Sequence, residues 1–398
     1  MERNVPKLRF KGFNDEWKEK KLSEIANIVG GGTPSTTEKS YWDGNIQWFT
    51  PTEIKDAKYV ASSMRTITEQ GVKNSSAKIL PKGSILLTTR ATLGEMAILE
   101  NDATTNQGFQ SLIVNKNNNN EFVYYLQEKI KKYCYKNASG STFLEISKSN
   151  LEKFKVNMPS LQEQERIANF LTKVDKIIEK QDEKVKNLEK YKKGMMQKIF
   201  SQEIRFKDEN GNEYPEWEIK RVEDIANIQV GFTPDTKNDS FWEGDIKWLS
   251  IAGMNSKYIF DGNKRISNEA LGKRELIPKN TLVMSFKLTI GRLAIIKEPM
   301  ITNEAICQFY WKDKNIINEY MYQYLDSIRI ESFGCRAAKG ITLNNESLNS
   351  IIVKLPCIDE QNKIADLLTN IDCINQEELN KLNELKRWKK GLLQQMFV

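Results

Sequence analysis

The strongest constraint on this chain is that it repeats itself. Trp17-Lys18-Glu19-Lys20-Lys21-Leu22-Ser23-Glu24-Ile25-Ala26-Asn27-Ile28 returns as Trp217-Glu218-Ile219-Lys220-Arg221-Val222-Glu223-Asp224-Ile225-Ala226-Asn227-Ile228. The same register carries Thr33-Pro34/Thr233-Pro234, Trp42/Trp242, Gly44/Gly244 and Trp48/Trp248. After a slip of three it resumes at Pro81/Pro278, Gly94/Gly291, Thr105-Asn106/Thr302-Asn303 and Pro159/Pro356, and runs to Phe200/Phe397. Each copy is long enough to bury its own core, so the duplication predicts two similar globular halves rather than a solenoid of short repeats.

Within each copy two regimes alternate. Residues 1–160 mix short apolar runs, Ser84–Thr89 and Ser111–Val114, with turn-forming stretches at Gly30–Pro34 and Asn117–Asn120. Glu121–Tyr135 carries Phe122, Tyr125, Leu126 and Ile130 on one stripe and predicts a helix. This is the pattern of an α+β domain. From Leu161 to Phe200 there is no proline and one glycine, Gly194. Apolar residues there follow a heptad through Leu171, Val174, Ile178, Val185, Leu188, Met195 and Ile199, with Gln181 and Lys192 in the seam. After Pro356 the pattern returns through Leu368, Ile371, Leu382, Leu385, Leu392 and Met396, interrupted by Asn375, Glu378 and Lys389.

Forty helical residues span ~60 Å. A helix of that length with one narrow stripe needs a partner of similar length. The expected architecture is therefore two pseudo-symmetric α+β domains separated by two long antiparallel coiled-coil helices. Its predicted boundaries are 1–160 and 201–356 for the domains, and 161–200 and 357–398 for the helices.

Composition excludes much of ordinary catalysis. The chain has no histidine, which removes Ser-His-Asp and Cys-His nucleophiles, HExxH zinc sites and a histidine base. No GxxxxGK[S/T] loop is present. The five cysteines form no CxxC pair, which favours a reducing cytoplasm over a disulfide or zinc framework. Met1–Glu16 lacks the apolar centre of a signal peptide. Pro234-Asp235 followed by Asp245-Ile246-Lys247 has the spacing of a metal nuclease, but the first copy has Pro34-Ser35 and Asn45-Ile46-Gln47 there. The DNA aminomethyltransferase element needs Pro-Pro, which the chain lacks. No catalytic or metal-binding residue is assigned.

The net charge of +7 is compatible with a polyanion partner. Polar residues able to reach base edges or phosphates recur in three segments of each copy. In the first copy they are Thr33, Lys39, Tyr41, Asn45, Gln47, Thr50, Thr89, Arg90, Thr92, Asn106 and Gln107. In the second they are Thr233, Lys237, Lys247, Ser250, Lys287, Thr289 and Asn303. Frame residues coincide between the copies while Gln47/Lys247, Arg90/Lys287 and Gln107/Glu304 diverge, as expected of one scaffold reading two sequences; drift after duplication produces the same picture. The shared tryptophans fit a core position better than a base-stacking platform.

Two features carry a family resemblance. Each long helix opens with Pro-x-x-x-Glu-Gln (Pro159 to Gln164, Pro356 to Gln361), and each closes with Lys193-Gly194…Phe200 or Lys390-Gly391…Phe397. Together with Trp17-x₄-Leu22-x-Glu24-Ile25 and the Gly31-Gly32-Thr33-Pro34 segment, this arrangement resembles the specificity subunit of type I restriction–modification systems. The resemblance implies a non-catalytic, cytoplasmic subunit whose two target recognition domains read a split sequence in double-stranded DNA. Its helices would fix the spacing and dock two methyltransferase subunits, with restriction subunits completing the complex. S-adenosylmethionine, ATP and Mg²⁺ would be used by those partners and none bound by this chain. The rival readings are a single-chain DNA-modifying or DNA-cleaving enzyme, and a scaffold that binds no DNA.

Overall fold

The apolar runs pair as buried strands. The computed structural model describes residues 4–55, 57–140, 144–337 and 340–398, for 335–337 and 340–342 the backbone only. In the first copy the strands are β1 (Lys18–Lys21), β2 (Ala26–Gly30), β3 (Trp42–Phe49), β4 (Tyr59–Val60) and β5 (Arg65–Ile67). They continue with β6 (Ile85–Leu87), β7 (Met96–Leu99), β8 (Ala103–Thr105), β9 (Gln110–Val114) and β10 (Lys155–Met158). They form a five-stranded sheet in the order β2-β9-β6-β7-β4, a three-stranded sheet β5-β3-β8 and the ribbon β1-β10. Every residue of β6, β7 and β8 is buried, as a strand covered on both faces requires.

The second copy repeats this with β11 (Glu218–Arg221), β12 (Ala226–Val230), β13 (Ile246–Leu249), β14 (Tyr258–Ile259), β15 (Lys264–Ile266) and β16 (Thr281–Ser285). Then come β17 (Leu293–Ile296), β18 (Ile301–Thr302), β19 (Ile306–Trp311), a hairpin of β20 (Cys335–Ala337) with β21 (Gly340–Thr342), and β22 (Ile352–Leu355). The orders are β12-β19-β16-β17-β14, β15-β13-β18 and β11-β22. One expectation needs correction: Glu121–Tyr135 is not one helix but two, Asn120–Tyr124 and Gln127–Asn137. The break falls at Tyr125, whose hydroxyl donates to Asp175 Oδ2 at 2.5 Å and accepts from Lys58 Nζ at 2.8 Å.

Both long helices form without interruption, Leu161–Phe200 and Ile358–Met396. The chain divides into two units, and each takes half of each helix: residues 1–181 with 381–398, and residues 182–380. Each unit is thus built from one α+β domain, one half of its own following helix and one half of the other. In the first unit Leu392, Met396 and Phe397 join the core of Trp17, Phe122, Ile130, Leu171 and Val174. In the second, Met196, Ile199 and Phe200 take the same places among Trp217, Tyr320, Tyr324, Leu368 and Ile371. The Lys-Gly…Phe endings are therefore plugs for a core.

Within each unit the two helix halves run antiparallel, and polar seam residues set their register. Lys389 meets Asp175 at 2.6 Å, and its repeat equivalent Lys192 meets Asp372 at 2.6 Å. Lys184 meets Glu378 at 3.1 Å. A one-turn slip would leave these partly buried charges unpaired, so the seam sacrifices apolar contact for a unique alignment.

The Pro-x-x-x-Glu-Gln element is a buried clamp. Glu163 is 2% exposed and receives Arg9 Nε and Nη2, both at 2.8 Å. Glu360 is fully buried and receives Arg205 at 3.3 and 2.9 Å and Trp217 Nε1 at 2.9 Å. Gln164 donates to the Pro159 carbonyl and accepts from Asn119 N; Gln361 does the same with Pro356 and Ile317. The glutamine of each element thus ties the carbonyl just before the long helix to a backbone N–H of the loop that leads into the domain's short helices.

A second fastening recurs with Lys58, whose ammonium contacts Thr172, Tyr125 and Glu121, and with Lys257, which donates to Thr369 at 2.9 Å. Burial lowers the Lys257 pKa.

Removing the cation of a buried pair strands its carboxylate. Arg205→Ala should cost the second unit about 3–5 kcal/mol in denaturant unfolding followed by circular dichroism. Lys155→Ala, which breaks the exposed pair with Glu19, should produce no measurable change.

Candidate nucleic-acid interface

Three loops converge in each unit, held by two equivalent backbone bonds and by one side-chain bond that comes from a different position in each copy. In the first unit, Asn106 N donates to Phe49 O at 3.0 Å and Thr89 N to Gly108 O at 2.8 Å, while Thr92 Oγ1 donates to Pro51 O at 3.1 Å. These bonds join the turn after β3, the β6–β7 hairpin and the β8–β9 loop. In the second, Asn303 N donates to Leu249 O at 2.9 Å, Phe286 N to Ala305 O at 2.9 Å and Arg292 Nη1 to Ile251 O at 3.1 Å. Thr50, Pro51, Thr52, Arg90, Ala91 and Asn106 line an open depression of about 410 Å³ in the first unit.

A fourth segment closes against these loops. Gly32 N donates to Thr105 O at 2.8 Å and Phe232 N to Thr302 O at 2.9 Å. Thr33 Oγ1 donates to the Gln107 side chain, and Thr233 Oγ1 to Glu304. The glycine common to both copies, Gly31/Gly231, is needed because a Cβ there would stand 2.0 Å from the Asn106 or Thr302 carbonyl oxygen. Within the Gly30–Gly32 run, Gly31 and Gly32 are the close approaches of backbone to backbone.

Of the sequence-derived candidates, the structure gathers Thr33, Thr50, Thr89, Arg90, Thr92, Asn106 and Gln107 into one cluster, and Thr233, Ser250, Lys287, Thr289 and Asn303 into its counterpart. They are not equivalent within it. Thr89 is 1% exposed and its hydroxyl has no hydrogen-bond partner among the described residues. Thr50 shares hydrogen bonds with Glu53, and the Asn106 and Asn303 side-chain oxygens accept from Gly108 N and Ala305 N; these shape the turns. Arg90 is half-buried, while Gln107, Lys287 and Thr289 are exposed.

Lys39 and Tyr41 precede the opposite end of β3, and Lys237 precedes β13 in the same way. Asn45 is an exposed residue within β3. The Gln47 side-chain oxygen accepts from Ser63 N and Oγ at 2.6 and 2.9 Å, and Lys247 Nζ donates to the Phe260 carbonyl at 3.1 Å.

Of the four shared tryptophans, Trp42, Trp48 and Trp248 are buried and Trp242 is half-buried. Trp42 and Trp48 pack edge-on at 5.1 Å, as do Trp242 and Trp248 at 5.0 Å. Their indole N–H groups donate to the carbonyls of Ser35, Gly32, Asp235 and Phe232. Sequence reasoning missed Arg65, whose guanidinium lies 3.7 Å from the centre of the Trp42 ring, with Lys264 4.7 Å from Trp242 in the second unit. A cation one strand away from a paired aromatic has no local signature.

Two of the residues with metal-nuclease spacing have other partners: Asp235 Oδ1 accepts from Lys237 N at 3.0 Å within a turn, and Lys247 bonds the Phe260 carbonyl. Among the described residues no group of three His, Cys, Asp or Glu side chains is placed to hold a metal. Burial pushes the Cys134 and Cys307 thiols up to about 12, which keeps them protonated at neutral pH. Cys357 and Cys373 are free; the Cys335 side chain lies outside the described residues. Among the described residues no helix is long and apolar enough to cross a membrane.

A family profile described as the type I restriction modification DNA specificity domain matches residues 14–190 and, again, residues 214–387. The chain belongs to that family. Its specificity domains thus coincide with the two copies of the repeat. It is 31% identical over 337 residues to the type I restriction enzyme MjaIX specificity subunit of Methanocaldococcus jannaschii, covering 77% of this chain and 78% of that protein. To the EcoR124I/EcoR124II specificity subunit of Escherichia coli it is 32% identical over 175 residues, 42% of this chain and 43% of that one. The fold is similar to the crystal structure of a type I restriction–modification S subunit from M. genitalium, with a TM-score of 0.60 at 16% identity and 99% of each chain covered. A chain from a structural study of complex assembly and conformational transition of the type I restriction–modification system gives 0.61 at 15% identity, covering 96% of this chain and 98% of that chain.

In this specificity chain the loop cluster depends on the Gly31 and Gly231 contacts. Gly231→Ala should raise amide exchange at Phe232 and Asn303 and lower stability. Gly194→Ala, where nothing lies within 4 Å, should stabilise its helix by about 1 kcal/mol.

Proposed function

We propose that this chain is the non-catalytic DNA-reading subunit of a type I restriction–modification complex. Each unit reads one half of a bipartite target in double-stranded DNA through its three-loop cluster. Two methyltransferase subunits dock on the chain and modify adenine at N6, and restriction subunits complete the assembly. S-adenosylmethionine, ATP and Mg²⁺ serve those partners and not this chain, which acts in the cytoplasm. The observation that carries the reading is the twofold loop cluster: its backbone bonds are the same in both units, while its exposed side chains differ. Shared geometry with private side chains is what two readers of different half-sites require.

Arg90, with Gln107 beside it, is the leading base-reading candidate of the first unit, because guanidinium groups pair bidentately with guanine. Lys287 holds the place of Arg90 in the second, with Thr289 and Ser250 in the places of Thr92 and Thr50. Exposed lysines elsewhere, Lys39 and Lys237 among them, add sequence-blind affinity that falls with salt. The paired helices set the stride between the half-sites, about one helical turn of DNA.

Methylation mapping in cells expressing the chain with its modification partner tests this reading. Exchanging residues 1–160 for those of a relative should change one half of the methylated sequence and leave the other intact. A change in both halves, or in neither, would show that the units do not read independently. Arg90→Ala should cost about 1–3 kcal/mol of discrimination at one base pair, measured by duplex competition. A four-residue insertion in 161–200 should lengthen the unread gap between the half-sites; an unaltered gap would remove the helices from the spacing role. Methylation or cleavage by the isolated chain would replace the proposal with an enzyme.

A further inference from the structure

At the tip of the β16–β17 hairpin stands a leucine that the fold does not use. Leu288 is 92% exposed, the highest value among the large apolar side chains described. Its backbone lies at φ +64°, a left-handed conformation that a branched side chain resists and a glycine adopts freely.

The conformation belongs to the hairpin. Ala91, at the equivalent position of the first unit, has φ +62°, and in both hairpins a glycine with positive φ follows three residues later, Gly94 and Gly291. The side chain is not set by the hairpin, since one copy carries a methyl group and the other a full leucine. A leucine held out in water on a disfavoured backbone contributes neither burial nor conformational ease to the folded state.

Its surroundings point to DNA. The same loop carries two exposed cations, Lys287 and Arg292, and residues 286–293 contain no carboxylate. The nearest loop contributes Glu304, whose carboxylate accepts from Thr233. Cationic flanks draw a tip toward phosphates, which carries an apolar side chain into the groove between them. The apolar feature that major-groove edges of unmodified DNA offer is the C5-methyl group of thymine.

We infer that Leu288 reads the 5-methyl group of a thymine in the half-site bound by the second unit, an inference that rests on the DNA-reading function proposed above. Glycine would suit the backbone better, and alanine would fall short of the methyl.

The test selects random duplexes with the full chain assembled with its modification subunits, unsubstituted and as Leu288→Ala. The unsubstituted assembly should favour thymine at one position of one half-site, and Leu288→Ala should lose that preference alone. Replacing that thymine by deoxyuridine should weaken the unsubstituted assembly about fourfold, what one buried methyl is worth, and leave Leu288→Ala unchanged. Leu288→Gly should bind like Leu288→Ala with a thermal midpoint no lower than that of the parent.

Equal sensitivity of both proteins to deoxyuridine, or an unchanged selected sequence, overturns the inference while leaving the DNA-reading function in place. Weakening by Leu288→Ala that deoxyuridine does not reproduce makes the leucine a wedge between bases and also overturns it. A lowered midpoint for Leu288→Gly makes the residue structural, with the same result. An unsubstituted assembly that selects no sequence overturns this inference and the proposed function together.

Discussion

A buried carboxylate at the first turn of each long helix governs how the rest of the chain is assembled. Glu163 and Glu360 are almost wholly removed from water, and such groups persist only when fully paired. The partners come from opposite sides of the clamp: an arginine before β1 or β11, a tryptophan just preceding those strands, and, through the adjacent glutamine, the loop leading into the short helices of the domain. A helix start that must satisfy all of these can leave its domain in one direction only. Neutral residues of similar volume could be as stable, but they would not fix an exit angle.

The direction matters because the other end of each helix also has a destination. Phe200 packs on Tyr320 and Tyr324, and Phe397 on Trp17 and Phe122. Each unit therefore has a core completed by the last turns of a helix that started in the other copy. The polar seam makes this reciprocal arrangement specific. Lys192–Asp372 and Lys389–Asp175 are one contact seen twice through the internal repeat, so a register that satisfies one also satisfies the other. Apolar heptads alone tolerate slippage; charges in the seam do not.

The repeat, the mixed domains, the strands at Ile85–Leu87 and Gln110–Val114 and both long helices were legible in the sequence, because periodicity is a local property. The exchange of helix ends was not. A stripe shows that a helix is covered, not which segment covers it. The burial of the Glu-Gln element was not legible for the same reason: its partners Arg9, Asn119 and Trp17 are distant in sequence. The helix over 121–135 failed at Tyr125, where a hydroxyl bonded to a helix residue 50 positions away outweighs local propensity. At the interface, Thr50, Arg90, Asn106 and Gln107 could be chosen by residue type, and the fold gathers them. Lys39 and Tyr41 were equally good by type, and only the length of β3 separates them from that cluster.

The contrast between frame and tip also explains why one protein can keep its architecture while its loops vary. The β8–β9 loop and its counterpart are held to the neighbouring hairpin and turn by backbone bonds, such as Thr89 N to Gly108 O and Phe286 N to Ala305 O, while the Thr92 and Arg292 side chains link hairpin to turn. Backbone bonds are indifferent to side-chain identity, so Arg90 can stand where the other copy has Lys287, and Gln107 where it has Glu304, with no change in loop path. Residues whose identity does matter to the frame, the buried Trp48/Trp248 and the closely approached Gly31/Gly231, are the same in both copies. Even the strained position at Ala91/Leu288 keeps its backbone angle while its side chain changes. On the proposed function, recognition and folding draw on different atoms of the same loops, and substitution at a tip alters one with little effect on the other.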